Sequence, residues 1–341
     1  MADRPPALPI VDVEPLVEDG SASARTRAGA EIVRHCREVG FFCAVGHRVD
    51  PALLARLEAE ARRFFARPET EKARIAMQRG GRGWRGWFPV GGELTSGVPD
   101  RKEGVYFGAE LGPDHPLVRA GTPLHGPNLF PADMPAFREA VLAAMAALEG
   151  VGQALLRGVA LGLGLPGDTF RRQYTAEPLV LFRIFHYPPA DAGDDAQRAA
   201  WGVGEHTDYG FLTLLAQDDT GGLEVRTPDG WIATEPVAGA LVCNVGDMLE
   251  RLTMGRLRST PHRVCNRSNT GRLSFPFFFD PGWNARVLPI EGLAVTPAGA
   301  DSERWDGASV HDFSGTYGDY VLAKIARVFP DLGREVLDRA R

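Results

Sequence analysis

The chain is poor in cysteine and lacks a strong excess of either charge. Of its 341 residues only Cys36, Cys43, Cys243 and Cys265 are cysteine, and no two form a C-x-x-C pair. A disulfide framework and a zinc knuckle are therefore not suggested, and the four read as reduced, buried small hydrophobes. A formal net charge of −6 gives no field that would gather nucleic acid or an anionic membrane surface. The first sixteen residues carry prolines and acids where a signal peptide needs a basic start and an apolar run. No stretch is expected to supply the roughly 20 apolar residues that span a bilayer, and no internal repeat or low-complexity tract is visible. The cytoplasm is the expected address. Oligomeric state is left open.

What is present suits a folded domain. A hydrophobic fraction of 44% can supply a sizeable core, and the length allows one large domain or two ordinary ones. The first half reads as mostly helical. A short strand at 8–13 precedes a helix over 23–39 that Gly40 ends, then a strand over 41–45 and a helix over 51–65 with proline in its first turn. Residues 79–108, rich in Gly, Trp and Arg, read as ordered loop and short strands, and 134–163 as one long helix with a possible break near Gly150. From 179 onward short β-rich runs alternate with turn residues, at 179–187, 211–217, 222–226, 241–245, 262–265 and 272–279, which suggests a sandwich or barrel. A last helix covers 318–328. The expected division is an N-terminal helical and strand region, 1–165, around a β-rich catalytic core with a C-terminal helix, 166–341, acting as one cooperative unit.

Within Gly204-Glu-His-Thr-Asp-Tyr-Gly, His206 and Asp208 are two apart, so an extended chain puts both on one face. His262 follows 54 positions after Asp208 on another short extended run. Two histidines and one carboxylate can occupy one face of an octahedron and leave three positions open, a set that favours Fe(II) oxygen chemistry. Zinc is the competing metal, although the H-E-x-x-H spacing of hydrolytic zinc sites is absent. Ten residues after His262, Arg272 and Ser274 share one strand face, and a guanidinium facing a barrel interior requires an anion. A dicarboxylate chelating the metal by its other end would meet that need, as would an internal salt bridge.

The order H-T-D, then His262, then R-x-S resembles the isopenicillin N synthase-like branch of the 2-oxoglutarate- and Fe(II)-dependent oxygenases. The resemblance extends to Leu8-Pro-Ile-Val-Asp, Gly40-Phe-Phe, Arg85-Gly-Trp-Phe-Pro, Lys102-Glu-Gly, Gly126-Pro-Asn, His186-Tyr-Pro-Pro, Gly221-Gly-Leu-Glu-Val and Asn244-Val-Gly-Asp, and so covers nearly the whole chain. It implies an α+β fold, a distorted double-stranded β-helix or jelly roll with flanking helices. It implies Fe(II) on His206, Asp208 and His262, and 2-oxoglutarate as co-substrate on Arg272, Ser274 and Tyr187. It further implies a small-molecule substrate and O2 as the reaction's partners, with hydroxylation ahead of desaturation or cyclisation. One departure concerns Phe185, which stands where many relatives have the asparagine two places before that tyrosine. An isopenicillin N synthase-like oxidase working without 2-oxoglutarate is the rival within the fold. Against it, the C-terminal run Glu335-Val-Leu-Asp-Arg-Ala-Arg has no glutamine to offer the iron. A non-catalytic jelly-roll protein would explain the triad but not the R-x-S pair, and the acidic balance argues against nucleic-acid demethylation.

Other residues divide between site and scaffold. The period of two puts Arg183 on the face of Tyr187 and Phe278 on that of Ser274. Relatives often carry a pocket-lining aromatic at the latter position. These two are candidate substrate residues, against the plainer reading of an internally paired arginine and a core phenylalanine. Trp84, Trp87 and Phe88 either roof a pocket or anchor a loop. His47, His125 and His186 are expected to make structural hydrogen bonds, and Asp247 to form a turn rather than supply a fourth ligand.

Overall fold

Helices that bury one face in the first half and strands buried along most of their length in the second set the architecture. In this computed structural model the described residues are 8–95, 97–189, 201–227, 229–290, 293, 313–330 and 334. Their strands are β1 (Ile10–Asp12), β2 (Phe41–Val45), β3 (Gly86–Phe88), β4 (Leu94–Thr95), β5 (Val98–Pro99), β6 (Glu103–Gly108), β7 (Leu179–Tyr187), β8 (Val203–His206), β9 (Leu212–Gln217), β10 (Leu223–Thr227), β11 (Gly230–Thr234), β12 (Leu241–Val245), β13 (His262–Val264) and β14 (Arg272–Asp280). Eight form one sheet in the order β1-β2-β12-β9-β14-β7-β6-β3, and four form a second in the order β11-β10-β13-β8. The hairpin β4-β5 stands apart. This is the jelly-roll core that the sequence led us to expect, and its large sheet draws strands from both halves of the chain.

Register aligns the functional faces. Along β7 and β14, Arg272 opposes Tyr187 and Ser274 opposes Phe185, while β6 sets Tyr106 opposite Arg183 and Gly104 opposite Phe185. In the small sheet His262 of β13 pairs directly with His206 of β8. Side chains opposite one another point to the same face. The inward faces of the two sheets enclose a cavity of about 740 Å³.

Three of the helices begin at side-chain caps. Five matter here: α1 (Ala22–Glu38), α2 (Pro51–Phe65), α3 (Pro135–Gly162), α4 (Asp247–Leu252) and α5 (Tyr317–Val328). Ser21 Oγ accepts from Ala24 N, Asp50 Oδ1 accepts from Ala52 N ahead of Pro51, and Thr316 and Asp319 form a capping box. Gly40, at φ +77°, ends α1 in a conformation that side chains resist. Contrary to the expected break, α3 runs unbroken through Gly150.

By length and composition α3 is also apolar enough to cross a membrane, which corrects the reading that no stretch is. In this fold it serves as the spine, packed on α1, α2 and β14. Where α1 crosses it, the two backbones nearly touch. A Cβ on Gly29 would lie 2.3 Å from the carbonyl oxygen of Gly158.

Candidate active site

His206 ends β8 and His262 begins β13, so the pairing of these strands brings the two rings to a centroid separation of 4.2 Å. Two residues past His206 the chain returns Asp208 to the same point. Asp208 Oδ1 lies 3.8 Å from His206 Nε2 and 3.7 Å from His262 Nε2, and one ligand atom from each residue falls within 4.8 Å of the others. The opposite ring nitrogens are engaged. His206 Nδ1 is 2.8 Å from the Gly204 carbonyl oxygen and His262 Nδ1 is 3.2 Å from that of Thr260, so both can donate there and leave Nε2 a free lone pair. The other carboxylate oxygen of Asp208 accepts from Asn244 Nδ2 at 2.7 Å and from the Thr213 hydroxyl. Oδ1 is thereby turned inward.

The electrostatics suit a cation. Burial, reinforced by the neighbouring His262, lowers the His206 pKa to about 4, so its imidazole is neutral at neutral pH. Burial works against ionisation of Asp208, but the facing histidines and the Asn244 and Thr213 donors outweigh it and hold the carboxyl below its usual range. A neutral imidazole and an ionised carboxylate are the forms that ligate metals.

On β14, Arg272 is fully buried. Its Nε donates to Gly221 O at 2.5 Å and Nη2 to Gln217 Oε1 at 3.1 Å, while Nη1 has no hydrogen-bond partner. The guanidinium lies 4.7 Å from the centre of the Tyr187 ring, and the Tyr187 hydroxyl is 3.3 Å from that of Ser274. All three line the cavity that holds the triad. An orphaned buried guanidinium nitrogen beside two hydroxyls fits a carboxylate.

Arg183 and Phe278 line the same cavity in contact with one another, the guanidinium 4.8 Å from the Phe278 ring and 4.2 Å from that of Tyr106. Arg183 Nη1 is 3.6 Å from Glu93 Oε1, so the protein carboxylate of the plainer reading is present, at ionic rather than hydrogen-bonding distance. Phe185 turns inward, and the Lys102 ammonium sits 4.8 Å from its ring centre.

The loop aromatics are anchors. Trp84, Trp87 and Phe88 are buried and do not line this cavity, and Trp87 Nε1 donates to Glu103 Oε2. His47, His125 and His186 bond Gly239 O, Pro123 O and Glu103 respectively. Asp247 begins α4, its backbone N–H donates to the Asp208 carbonyl oxygen, and its carboxylate accepts from Ser259 and Tyr320. The glutamine-free run 335–341 lies outside the described residues. Sequence reasoning missed Glu93, Lys102, Asp280 and Tyr317, all of which line the cavity. The alternation Lys102, Gly104, Tyr106 was the available signal for the lysine.

Comparison with known proteins agrees with this geometry. Residues 8–133 match the model described as "non-haem dioxygenase in morphine synthesis N-terminal", and residues 178–281 match that of the 2OG-Fe(II) oxygenase superfamily. A protein of Dictyostelium discoideum named "Probable iron/ascorbate oxidoreductase" is 45% identical, with 97% of each chain covered. The chain belongs to the 2OG-Fe(II) oxygenase superfamily. Other similar proteins include a 1-aminocyclopropane-1-carboxylate oxidase of Dictyostelium mucoroides, 33% identical over 95% of each chain. A 2OG-Fe(II) oxygenase family protein of Caulobacter crescentus has a solved structure that superposes on this oxygenase with a TM-score of 0.77 at 30% identity, covering 94% of this chain and 99% of that one. A Neurospora crassa protein solved in complex with alpha-KG and thymine, at 23% identity and a TM-score of 0.79 over 96% and 98%, shares the fold. The oxygenase is thus an Fe(II)- and 2-oxoglutarate-dependent oxidoreductase acting on a small molecule with O2.

Proposed function

We propose that this oxygenase hydroxylates a small, partly apolar molecule bearing an acidic or carbonyl group, with its residues in the following roles. His206, Asp208 and His262 hold the iron through the two Nε2 atoms and Oδ1. Arg272, Ser274 and Tyr187 hold the far carboxylate of 2-oxoglutarate. Arg183 and Phe278 meet the substrate.

The observation that carries the co-substrate assignment is the partnerless Nη1 of Arg272. It is buried on a charged group, and Arg272 lines the same cavity as the paired Ser274 and Tyr187 hydroxyls. Burying such a donor without an acceptor costs about 1–3 kcal/mol, which a bound carboxylate recovers. The distal carboxylate of 2-oxoglutarate supplies that acceptor, which supports the 2-oxoglutarate reading.

Iron with 2-oxoglutarate supplies O2 activation coupled to oxidative decarboxylation of the co-substrate to succinate and CO2. The chain's own residues position and shield. Gly204 O and Thr260 O orient the histidines, and Asn244 and Thr213 fix the carboxylate. The apolar walls of Leu181, Leu215, Leu223 and Val264 keep the cavity dry. A metabolite screen that measures succinate against O2 tests the proposal. One succinate per O2 with a stimulating substrate is expected, and O2 consumption without succinate would contradict it.

A further inference from the structure

Four charges stand in a row along the cavity wall that β6, β7 and the approach to β4 provide. Asp100 and Glu93 hold the Lys102 ammonium between them, with Nζ 2.8 Å from Glu93 Oε2, and Arg183 Nη1 stands 3.6 Å from Glu93 Oε1. From Asp100 to Arg183 the signs alternate, minus, plus, minus, plus, and sum to zero. Lys102, Glu93 and Asp100 are each nearly inaccessible. Burial opposes the charge of Glu93, but Lys102 and Arg183 outweigh it and hold its carboxyl below the usual range.

The other charges near the cavity are also accounted for. Lys324 lies 3.6 Å from Asp247, and Arg327 is exposed at the rim. The Asp280 carboxyl accepts from the Tyr317 hydroxyl. A divalent ion with Asp208, and a dicarboxylate with Arg272, would add to zero as well.

Arg183 is left in an unusual state: its charge is balanced and its hydrogen bonds are not. At 3.6 Å the contact with Glu93 is ionic only. Among the described residues its guanidinium makes no hydrogen bond, and Nε is buried without a partner. Tyr106 and Phe278 cover the guanidinium at 4.2 and 4.8 Å, which leaves its in-plane edge for a ligand.

We propose that the group Arg183 takes is a neutral planar acceptor, the carbonyl of an amide, lactam or ketone, and that Glu93 sets this preference against carboxylates. The proposal rests on the reading of Arg183 as a substrate-facing residue and narrows it. A carboxylate would add an uncompensated negative charge beside Glu93 in a water-poor wall, where like charges repel strongly. A carbonyl supplies acceptors and adds no charge. Glu93 is thus a positioning and selectivity residue that acts through Arg183.

Benzamide and benzoate share one ring and differ in head-group charge, and so serve as probes. Each is titrated anaerobically into protein loaded with Fe(II) and 2-oxoglutarate, with binding followed by the absorption of the iron–co-substrate chelate. Wild type is expected to bind benzamide at least tenfold more tightly than benzoate. Glu93→Gln, with its wall now one unit more positive, should lose that preference or reverse it while keeping its affinity for 2-oxoglutarate. Arg183→Met should weaken benzamide, and with Glu93 left uncompensated it should bind benzoate no better than wild type does. Wild-type protein that binds benzamide no better than benzoate overturns the proposal without any variant. So does a Glu93→Gln protein that keeps the wild-type ratio. Wild-type benzamide affinity in Arg183→Met would instead remove Arg183 from the substrate site, and the charge argument with it.

Discussion

Tyr187 and Ser274 meet hydroxyl to hydroxyl at 3.3 Å although they are not register partners. Tyr187 opposes Arg272, and Ser274 opposes Phe185, so the contact is a diagonal across β7 and β14. Gly202 makes room for it, since a Cβ there would lie 2.4 Å from the Tyr187 ring. If this pair receives the co-substrate carboxylate, Tyr187→Phe removes one hydrogen bond worth about 0.5–1.5 kcal/mol. The 2-oxoglutarate KM should then rise about three- to tenfold, with little change in the substrate KM. Steady-state kinetics in each reactant would show it, and an unchanged co-substrate KM would make the hydroxyl pair purely structural.

Arg272→Lys keeps the charge and loses the planar fork. Nε and Nη2 are already committed to Gly221 and Gln217, so the free Nη1 owes its aim to the rigid guanidinium. A 2-oxoglutarate KM raised by on the order of 10- to 100-fold is expected. Thermal melting of the variant separates this from a loss of folding.

Asp280 makes stability depend on pH. Burial pushes its carboxyl up to about 7, against an unfolded value near 4. Between those limits the folded state holds more protons than the unfolded one, so stability falls as pH rises from about 4 to about 7. Above that window the loss is complete. Asp280→Asn cannot ionise, and its melting temperature relative to wild type should climb across the same interval. A constant difference from pH 4 to pH 8 would show that Asp280 titrates normally.

Gly29→Ala tests the helical scaffold apart from the site. The added methyl would press on the Gly158 carbonyl oxygen at 2.3 Å and force α1 from α3. A cost of about 1–3 kcal/mol follows from overpacking of this kind. Denaturant melts should show it, with the 2-oxoglutarate KM of the folded fraction unchanged.

The R-x-S pair was legible because it rests on a period of two within one strand, and the triad because H-x-D keeps two ligands two residues apart, although Asp208 lies just past β8 and His262 on β13. The second face of the cavity was not. Glu93 belongs to no long strand and reaches Arg183 only because the hairpin β4-β5 folds back against β8 and α5, a relation with no local signature. Strand β6 reads poorly as a strand because Glu103, Gly104 and Gly108 have low β propensity, yet all six of its residues are buried. Helix α3 keeps its course through Gly150, where a Cβ would meet nothing within 4 Å, because buried residues on either side pack it in place. Its neighbours hold the helix, and the glycine is neither a hinge nor a contact. Asp247 looked like a turn residue but serves as a buried anchor for Ser259 and Tyr320, partners 12 and 73 positions away.

The proposed function rests on one triad holding Fe(II) and a neighbouring arginine holding 2-oxoglutarate. Anaerobic titration of Fe(II) and then 2-oxoglutarate into wild type, Asp208→Ala and Arg272→Met, read by metal content and by the visible absorption of the chelate, tests this most directly. Wild type should take up one iron per chain and develop the chelate band. Asp208→Ala should lose most of the iron with its circular dichroism intact, and Arg272→Met should keep the iron but need far more 2-oxoglutarate. Full iron content in Asp208→Ala, or an undiminished co-substrate affinity in Arg272→Met, would contradict these assignments.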